Sequence, residues 1–297
     1  MRILHIGVCA KSESLPRYFK EVATEYDEYQ PHEARDNGKS YDICFLQIQN
    51  ERIDHEPTVK KLQWIKRLKD EGCKVINWTG DMREPTPRWM VDFASNVSYT
   101  CFSNMQDVKY FHSLGLPSYF LQIGIDEQIF KPRNTSKPID IVFMGNTYGN
   151  QFPLSGFRKH LVNSLKARYG SRFRLYGTGW PNADGNLNGN QHEESKVYNK
   201  SKIAISCSHF DVERYTSDRL LRIMASDVCP LVHHYNGLEV DFEAGKEMAT
   251  FKSVNDCINQ IDYLLERDEK RESIRKNALE KSKQFTYKTM VEQIINM

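Results

Sequence analysis

Thr216-Ser217-Asp218-Arg219-Leu220-Leu221-Arg222-Ile223-Met224-Ala225-Ser226-Asp227-Val228-Cys229-Pro230-Leu231-Val232 carries two signals in one stretch. Leu220, Leu221, Met224 and Ala225 fall on one face of a 3.6-residue helix, and Ser217 or Asp218 can cap its start. Cys229–Val232 then reads as a buried strand. A helix feeding directly into such a strand is one unit of a parallel α/β sheet. Arg219 falls in the first helical turn, beside backbone N–H groups with no helical partner. That pairing suits an anionic ligand, most simply a diphosphate; for the residue taken alone, the competing reading is a surface ion pair.

The same rhythm extends outward. Ile139–Met144, Phe173–Tyr176 and Ile203–Cys207 read as strands, and Gly156–Tyr169, Glu193–Lys200 and Val254–Glu266 as helices. Upstream, Ile3–Gly7, Tyr41–Gln47, Lys74–Trp78 and Tyr99–Ser103 are strand-like, with helical patterns such as Thr58–Lys69 and Gln106–Leu114 between them. A βα series that runs twice predicts an α/β chain of two Rossmann-like, doubly wound domains facing across a cleft, with ligands at the carboxyl ends of the strands. Residues 125–138 hold Pro132, Pro138 and a polar cluster without sustained periodicity. They read as a linker between a domain of residues 1–124 and one of residues 139–286. Residues 181–190 read as a loop inside the second domain, and Tyr287–Met297 as a helix.

Composition narrows the class. The 297 residues are 39% hydrophobic and 27% charged, as in a soluble globular protein. No apolar run approaches the ~20 residues that span a bilayer. Met1–Gly7 turns polar too soon for a signal peptide, so a cytoplasmic location is expected. Cys9, Cys44, Cys73, Cys101, Cys207, Cys229 and Cys257 are odd in number, scattered and without a C-x-x-C pair, which argues against a disulfide framework or a structural zinc site. Residues 1–125 carry 16 Lys and Arg against 17 Asp and Glu, and neither half is a polycation. Composition therefore gives no support to nonspecific duplex binding.

The remaining motifs sit at strand ends. Phe143-Met144-Gly145-Asn146-Thr147-Tyr148-Gly149 leaves its strand through glycines, which lets backbone approach a phosphate or sugar closely, although most such glycines serve tight turns. Arg158 on the next helix either reaches that phosphate or is solvated. Tyr176-Gly177-Thr178-Gly179-Trp180 ends the following strand, and its aromatics cover a base or cap the core. In the first half, Gly7 follows the opening strand, and Gly80-Asp81-Met82-Arg83 follows the third. Asp81 there could accept a hydroxyl proton or cap its loop, with Arg83 beside it. His233-His234 adjoins a strand end, where the two side chains point apart, and receives no metal role. H-E-x-x-H, the P-loop and Asp-x-Asp are all absent from the sequence, so neither a metal nor a cofactor is expected.

The second half resembles the C-terminal half of GT-B glycosyltransferases, in the group-one branch of spore-maturation-protein-like enzymes. The resemblance covers residues 139–290. It rests on the Gly145 turn with Arg158 downstream, Tyr176-Gly177, Ser217-Asp218-Arg219…Met224-Ala225, Gly237-Leu238-Glu239 and the tail from Val254 to Thr286-Tyr287. It implies a nucleotide-sugar donor domain at 139–286, an acceptor-side domain at 1–124 and a last helix, 287–297, returning to the first domain. Gly145, Asn146, Arg158, Gly177, Ser217, Asp218, Arg219, Arg222 and Glu239 are implied donor-side residues, and Gly7, Asp81 and Arg83 acceptor-side ones. Arg219 and Asp81 are the residues expected to carry the chemistry. Many relatives place a Glu where this chain has Arg222, and eight positions earlier it has Arg214 beside Glu213; Glu213 and Glu239 are the available substitutes. The resemblance implies a metal-independent reaction, with a retaining outcome suggested by family alone, because GT-B enzymes neutralise the leaving diphosphate with side chains and helix dipoles.

The expected donor is a nucleotide diphosphate sugar, uridine- rather than guanosine-linked. The acceptor stays open between a saccharide or glycoconjugate and a hydroxymethylated base in viral DNA. Arg83, Arg88 and Trp89 leave room for stacking and phosphate contacts. A non-catalytic sugar-nucleotide-binding protein and a GT-B-type epimerase also fit the residues. A dehydrogenase does not, since no G-x-G-x-x-G follows either opening strand.

Overall fold

Short β-branched and aromatic runs bounded by turns become parallel strands throughout the chain. The computed structural model describes residues 1–7, 14–47, 56–187 and 189–297. They form two compact units, Met1–Gly124 with Tyr287–Met297, and Ile125–Thr286. Cys9 and Asn188 lie outside the described residues.

In the first unit, β1 (Arg2–Ile6), β2 (Glu25–Tyr29), β3 (Ile43–Leu46), β4 (Lys74–Thr79), β5 (Tyr99–Phe102) and β6 (Ser118–Phe120) pair in the order β2-β1-β3-β4-β5-β6. Each pairing is parallel. The connections carry α1 (Ser14–Val22), α2 (Glu56–Asp70), α3 (Arg88–Ala94) and α4 (Met105–Ser113). Because the side-chain period of a strand is two, Ile3, Phe45 and Ile76 fill one face while Leu4, Cys44 and Val75 fill the other. Helices cover both faces, so β3 reads as an unbroken apolar Ile-Cys-Phe-Leu.

The second unit repeats the plan with β7 (Ile139–Met144), β8 (Phe173–Tyr176), β9 (Ser201–Ser206), β10 (Cys229–His233) and β11 (Ala249–Phe251), in the order β11-β10-β9-β7-β8. Its helices are α5 (Ser155–Tyr169), α6 (Gln191–Asn199), α7 (Asp218–Ala225), α8 (Leu238–Asp241), α9 (Val254–Glu266) and α10 (Asp268–Ser282). From β7 the chain goes first to β8 on one side, then to β9 on the other. The strand order reverses at that point, and the connections leaving β7 and β9 part to open a crevice at their carboxyl ends.

Residues 125–138, read from sequence as a linker, belong to the second unit. Asn199 anchors them: its Oδ1 accepts from Arg133 N at 2.6 Å, and its Nδ2 donates to the Lys131 carbonyl at 3.0 Å. Prolines and polar side chains had removed the periodicity, not the packing. The last helix, α11 (Tyr287–Asn296), packs on α1 and adds Met290, Val291 and Ile294 to the cluster around Ile3, Phe19 and Phe45.

The cysteines among the described residues, Cys44, Cys73, Cys101, Cys207, Cys229 and Cys257, are buried and free. Burial pushes the Cys207 thiol up to about 11, so it serves as a small apolar group at neutral pH. No helix among the described residues is long and apolar enough to cross a membrane.

Candidate functional site

At the crevice of the second unit the chain leaves β7 through Gly145. A Cβ at that position would stand 2.7 Å from Arg219 Nη2 and 3.0 Å from Arg158 Nη2, so only glycine admits both guanidiniums. The turn is pinned from the neighbouring strand: Gly145 N donates to the Tyr176 carbonyl at 2.8 Å, and Trp180 Nε1 to the Gly145 carbonyl at 2.6 Å. Trp180 packs edge-on against Phe143, so it caps the core. Gly177 is required by the same contact, because a Cβ on it would meet the Gly145 carbonyl oxygen at 2.4 Å.

Arg158, on α5, is fully buried. Its Nη1 donates to the Cys207 carbonyl and its Nη2 to the Asn146 carbonyl at 2.9 Å, with the guanidinium 5.1 Å from the Phe143 ring centroid. Arg219, in the first turn of α7, donates Nη1 to the same Cys207 carbonyl at 3.1 Å. Its own guanidinium lies 5.7 Å from that ring. Among the described residues neither arginine is ion-paired with a carboxylate. Burial, and then the adjacent Arg219 charge, push Arg158 down to about 9, where it remains a cation at neutral pH. Two like charges held together raise the local positive potential, while Asp218 and Glu194 act on Arg219 from the cavity lining. An anion placed against the guanidiniums relieves their repulsion.

The start of α7 adds to this field. Ser217 occupies the N-cap position with no side-chain cap, its hydroxyl lying 3.5 Å from that of Ser206. Asp218 Oδ1 accepts from Arg219 N at 2.8 Å, and its Oδ2 pairs with Arg222 at 2.8 Å.

A cavity of about 280 Å³ opens over this ground. Gly145, Asn146, Gly177, Asp218, Arg219 and Arg222 line it, so the structure brings these expected residues together. Arg158 lies beneath the cavity and not in its lining, where it holds the Gly145 turn and the end of β9. Glu239 stands elsewhere in the second unit, largely exposed and paired with His234 at 2.7 Å. Arg214 forms a two-bonded pair with Asp241, at 3.0 and 2.7 Å.

Two residues at the site carry no clear sequence signal. Glu194, from the first turn of α6, lines the cavity and accepts from Arg222 at 3.1 Å. His209, just past β9, packs tilted against Phe152 and edge-on against Tyr148, at centroid distances of 4.8 and 5.3 Å. Burial, followed by the charges of Arg158 and Arg219, pushes its pKa down to about 4.

In the first unit, Gly7 follows β1, donating to the Tyr29 carbonyl at 3.1 Å; a Cβ on it would strike Gln47 Oε1 at 2.4 Å. Asp81 is exposed on the loop after β4, with Arg83 half-buried two residues on. All three residues are at carboxyl ends of strands, but β3 separates β1 from β4.

The sequence profile of the glycosyl transferase-like family matches residues 158–296, from Arg158 through α11. The solved structure of an alpha-glucosyltransferase bound to UDP and a 13-mer DNA containing an HMU base superposes with a TM-score of 0.69 at 14% identity, covering 100% of both chains. The chain has the GT-B fold, and its residues 158–296 are similar to the glycosyl transferase-like family. The same fold is found in sucrose-phosphate synthase from Thermosynechococcus elongatus, at TM-score 0.68 and 10% identity over 100% of this chain and 98% of that one. It is also found in Anabaena HepE in complex with UDP-glucose, at TM-score 0.63 and 12% identity over 100% and 98%. No curated protein sequence matches. In GT-B terms, the two parallel sheets are the two Rossmann-like domains, and the arginine pair stands at the strand-order reversal of the second.

Proposed function

We propose that this enzyme transfers a sugar from a UDP-linked donor to an acceptor hydroxyl, with the donor diphosphate held at the second unit's crevice. The observation that carries the reading is the pair Arg158 and Arg219, fixed at one carbonyl, with neither in an ion pair among the described residues. Arg219 and the start of α7 would contact the diphosphate, while Arg158 fixes the Gly145 turn and adds its field from below. As the glycosidic bond breaks, its electron pair goes to the β-phosphate oxygen, and the charge there grows. A preorganised guanidinium and helix start interact more strongly with that charge than with the ground state, and this difference lowers the barrier. Side chains would then supply the neutralisation, and turnover would not need a metal.

UDP is supported as the nucleotide by the ligands of the alpha-glucosyltransferase and HepE structures. On the acceptor side, Asp81 is proposed as the group receiving the acceptor's proton, with Arg83 two residues on and Gly7 two strands away at the end of β1. The alpha-glucosyltransferase likeness makes DNA carrying a hydroxymethylated base an acceptor to test alongside saccharides. The test is UDP release from a panel of UDP- and GDP-sugars, each offered both acceptor classes, in EDTA, with wild type and Arg219→Ala. Acceptor-dependent UDP release lost in the variant supports the reading. Binding of no nucleotide sugar at all would end it.

A further inference from the structure

We propose that Glu194 recognises the ribose diol of the donor nucleotide, a role that rests on the nucleoside-diphosphate reading above. The cavity that holds Arg219 at its lining also holds a carboxylate whose side chain is only 13% exposed. Its place is built: Asn190 caps α6 by accepting from Glu193 N at 3.2 Å, and Glu194 N donates to the Asn190 carbonyl at 3.0 Å. Arg222 then reaches across from α7 and donates to Oε2 at 3.1 Å, while its other terminal nitrogen is engaged by Asp218. Arg222 is also stacked 5.4 Å from the Phe130 ring, which fixes the direction from which it holds Glu194.

A carboxylate has about four acceptor positions on its two oxygens. Arg222 occupies one of them. Burial raises the Glu194 pKa, and the Arg222 charge opposes that shift. The ligand group that meets Glu194 must therefore have hydrogens to donate. It must also be neutral, since an anion would face both Glu194 and Asp218. Charge belongs at Arg219. In a nucleoside diphosphate the first neutral, donor-bearing group after the phosphates is the ribose, with two adjacent hydroxyls. Tyr176 and Leu187 in the same lining supply flat and apolar surface for a base beyond it.

Calorimetric titration of UDP, 2′-deoxy-UDP and inorganic pyrophosphate into wild type and Glu194→Gln tests this. A hydrogen bond to a charged group contributes about 1.5–3 kcal/mol, so wild type should prefer UDP over 2′-deoxy-UDP by about tenfold or more. The variant should bind both nucleotides alike, at or below the weaker level, and bind pyrophosphate as wild type does. Unchanged discrimination in the variant overturns the proposal. So does a loss confined to UDP-sugar with UDP unaffected, which would assign Glu194 to the transferred sugar. Loss of pyrophosphate binding as well would make Glu194 a support for Arg222 and equally overturn it. A wild type that binds pyrophosphate but no UDP would instead bring down the donor reading itself.

Discussion

Arg158 and Arg219 converge on one acceptor, the carbonyl oxygen of Cys207, from two different helices, α5 and α7. The two contribute differently, because Arg158 is buried and Arg219 is open to the cavity. Arg219→Ala should weaken UDP binding about 10- to 100-fold, the range of a charged hydrogen bond, and slow transfer further. Its melting temperature should stay within a few degrees of wild type. Arg158→Leu removes donors from both the Cys207 and Asn146 carbonyls, so stability and UDP affinity should fall together, by about 2 kcal/mol in the former. Thermal unfolding and titration of the two variants side by side separate these outcomes.

Gly145→Ala and Gly177→Ala make a contrasting pair. At Gly145 the new methyl group meets the ends of two long side chains; at Gly177 it meets backbone, at a φ of 138°. Gly145 too has a positive φ, 156°, so each variant should lose about 1–3 kcal/mol of stability as strained backbone. Gly145→Ala should in addition cost about tenfold or more in UDP affinity, by displacing Arg219. A Gly145→Ala protein that binds UDP like wild type would contradict this placement of the guanidiniums.

Trp180→Phe keeps the ring against Phe143 but removes the Nε1 donor to the Gly145 carbonyl. Leaving that acceptor unpaired should cost about 1–3 kcal/mol, read in chemical denaturation. UDP affinity should fall as well, because the turn beside Arg219 keeps its bond to the Tyr176 carbonyl but loses the one from Trp180.

His5 is buried between Tyr26 and Gln47, bonded to them at 2.9 and 3.1 Å. Burial pushes its pKa down to about 4, partly opposed by the Gln47 bond. Between about 6.5 and 4 the unfolded chain takes up a proton at this ring and the folded chain does not. Stability should therefore fall as pH falls through that window, by up to about 3 kcal/mol for this group, with no contribution to the slope above it. His5→Gln, unfolded in urea from pH 7 to 4.5, should show the flatter dependence.

Much of the fold is readable in the chain because most strands are buried on both faces. Ile139–Met144 has the bounds expected from its sequence, as does Phe173–Tyr176, although Arg174 leaves that edge strand exposed on one face. β2 is different: Glu-Tyr-Asp-Glu-Tyr is an edge strand with no buried residue, and its acids carry no strand period. β6 and β11, at three residues each, are too short to show alternation. At the site, Gly145, Gly177 and Arg219 stand out because turns at strand ends and helix starts leave local marks. The burial of Arg158 does not show, since its partner is the main-chain carbonyl of Cys207, just past β9 and 49 residues away. Glu194 is hidden for a similar reason. Beside Glu193 and Lys196 it looks like one more solvated acid until Arg222 is seen to reach it.

The order of synthesis runs against the order of the two units. A ribosome making this chain delivers every strand of the second unit before it delivers α11, whose Met290, Val291 and Ile294 complete the first unit's core. Ile3 and Phe19 therefore stay uncovered on that side until α11, made after the whole second unit, packs against them. The first unit closes only once the second has been made.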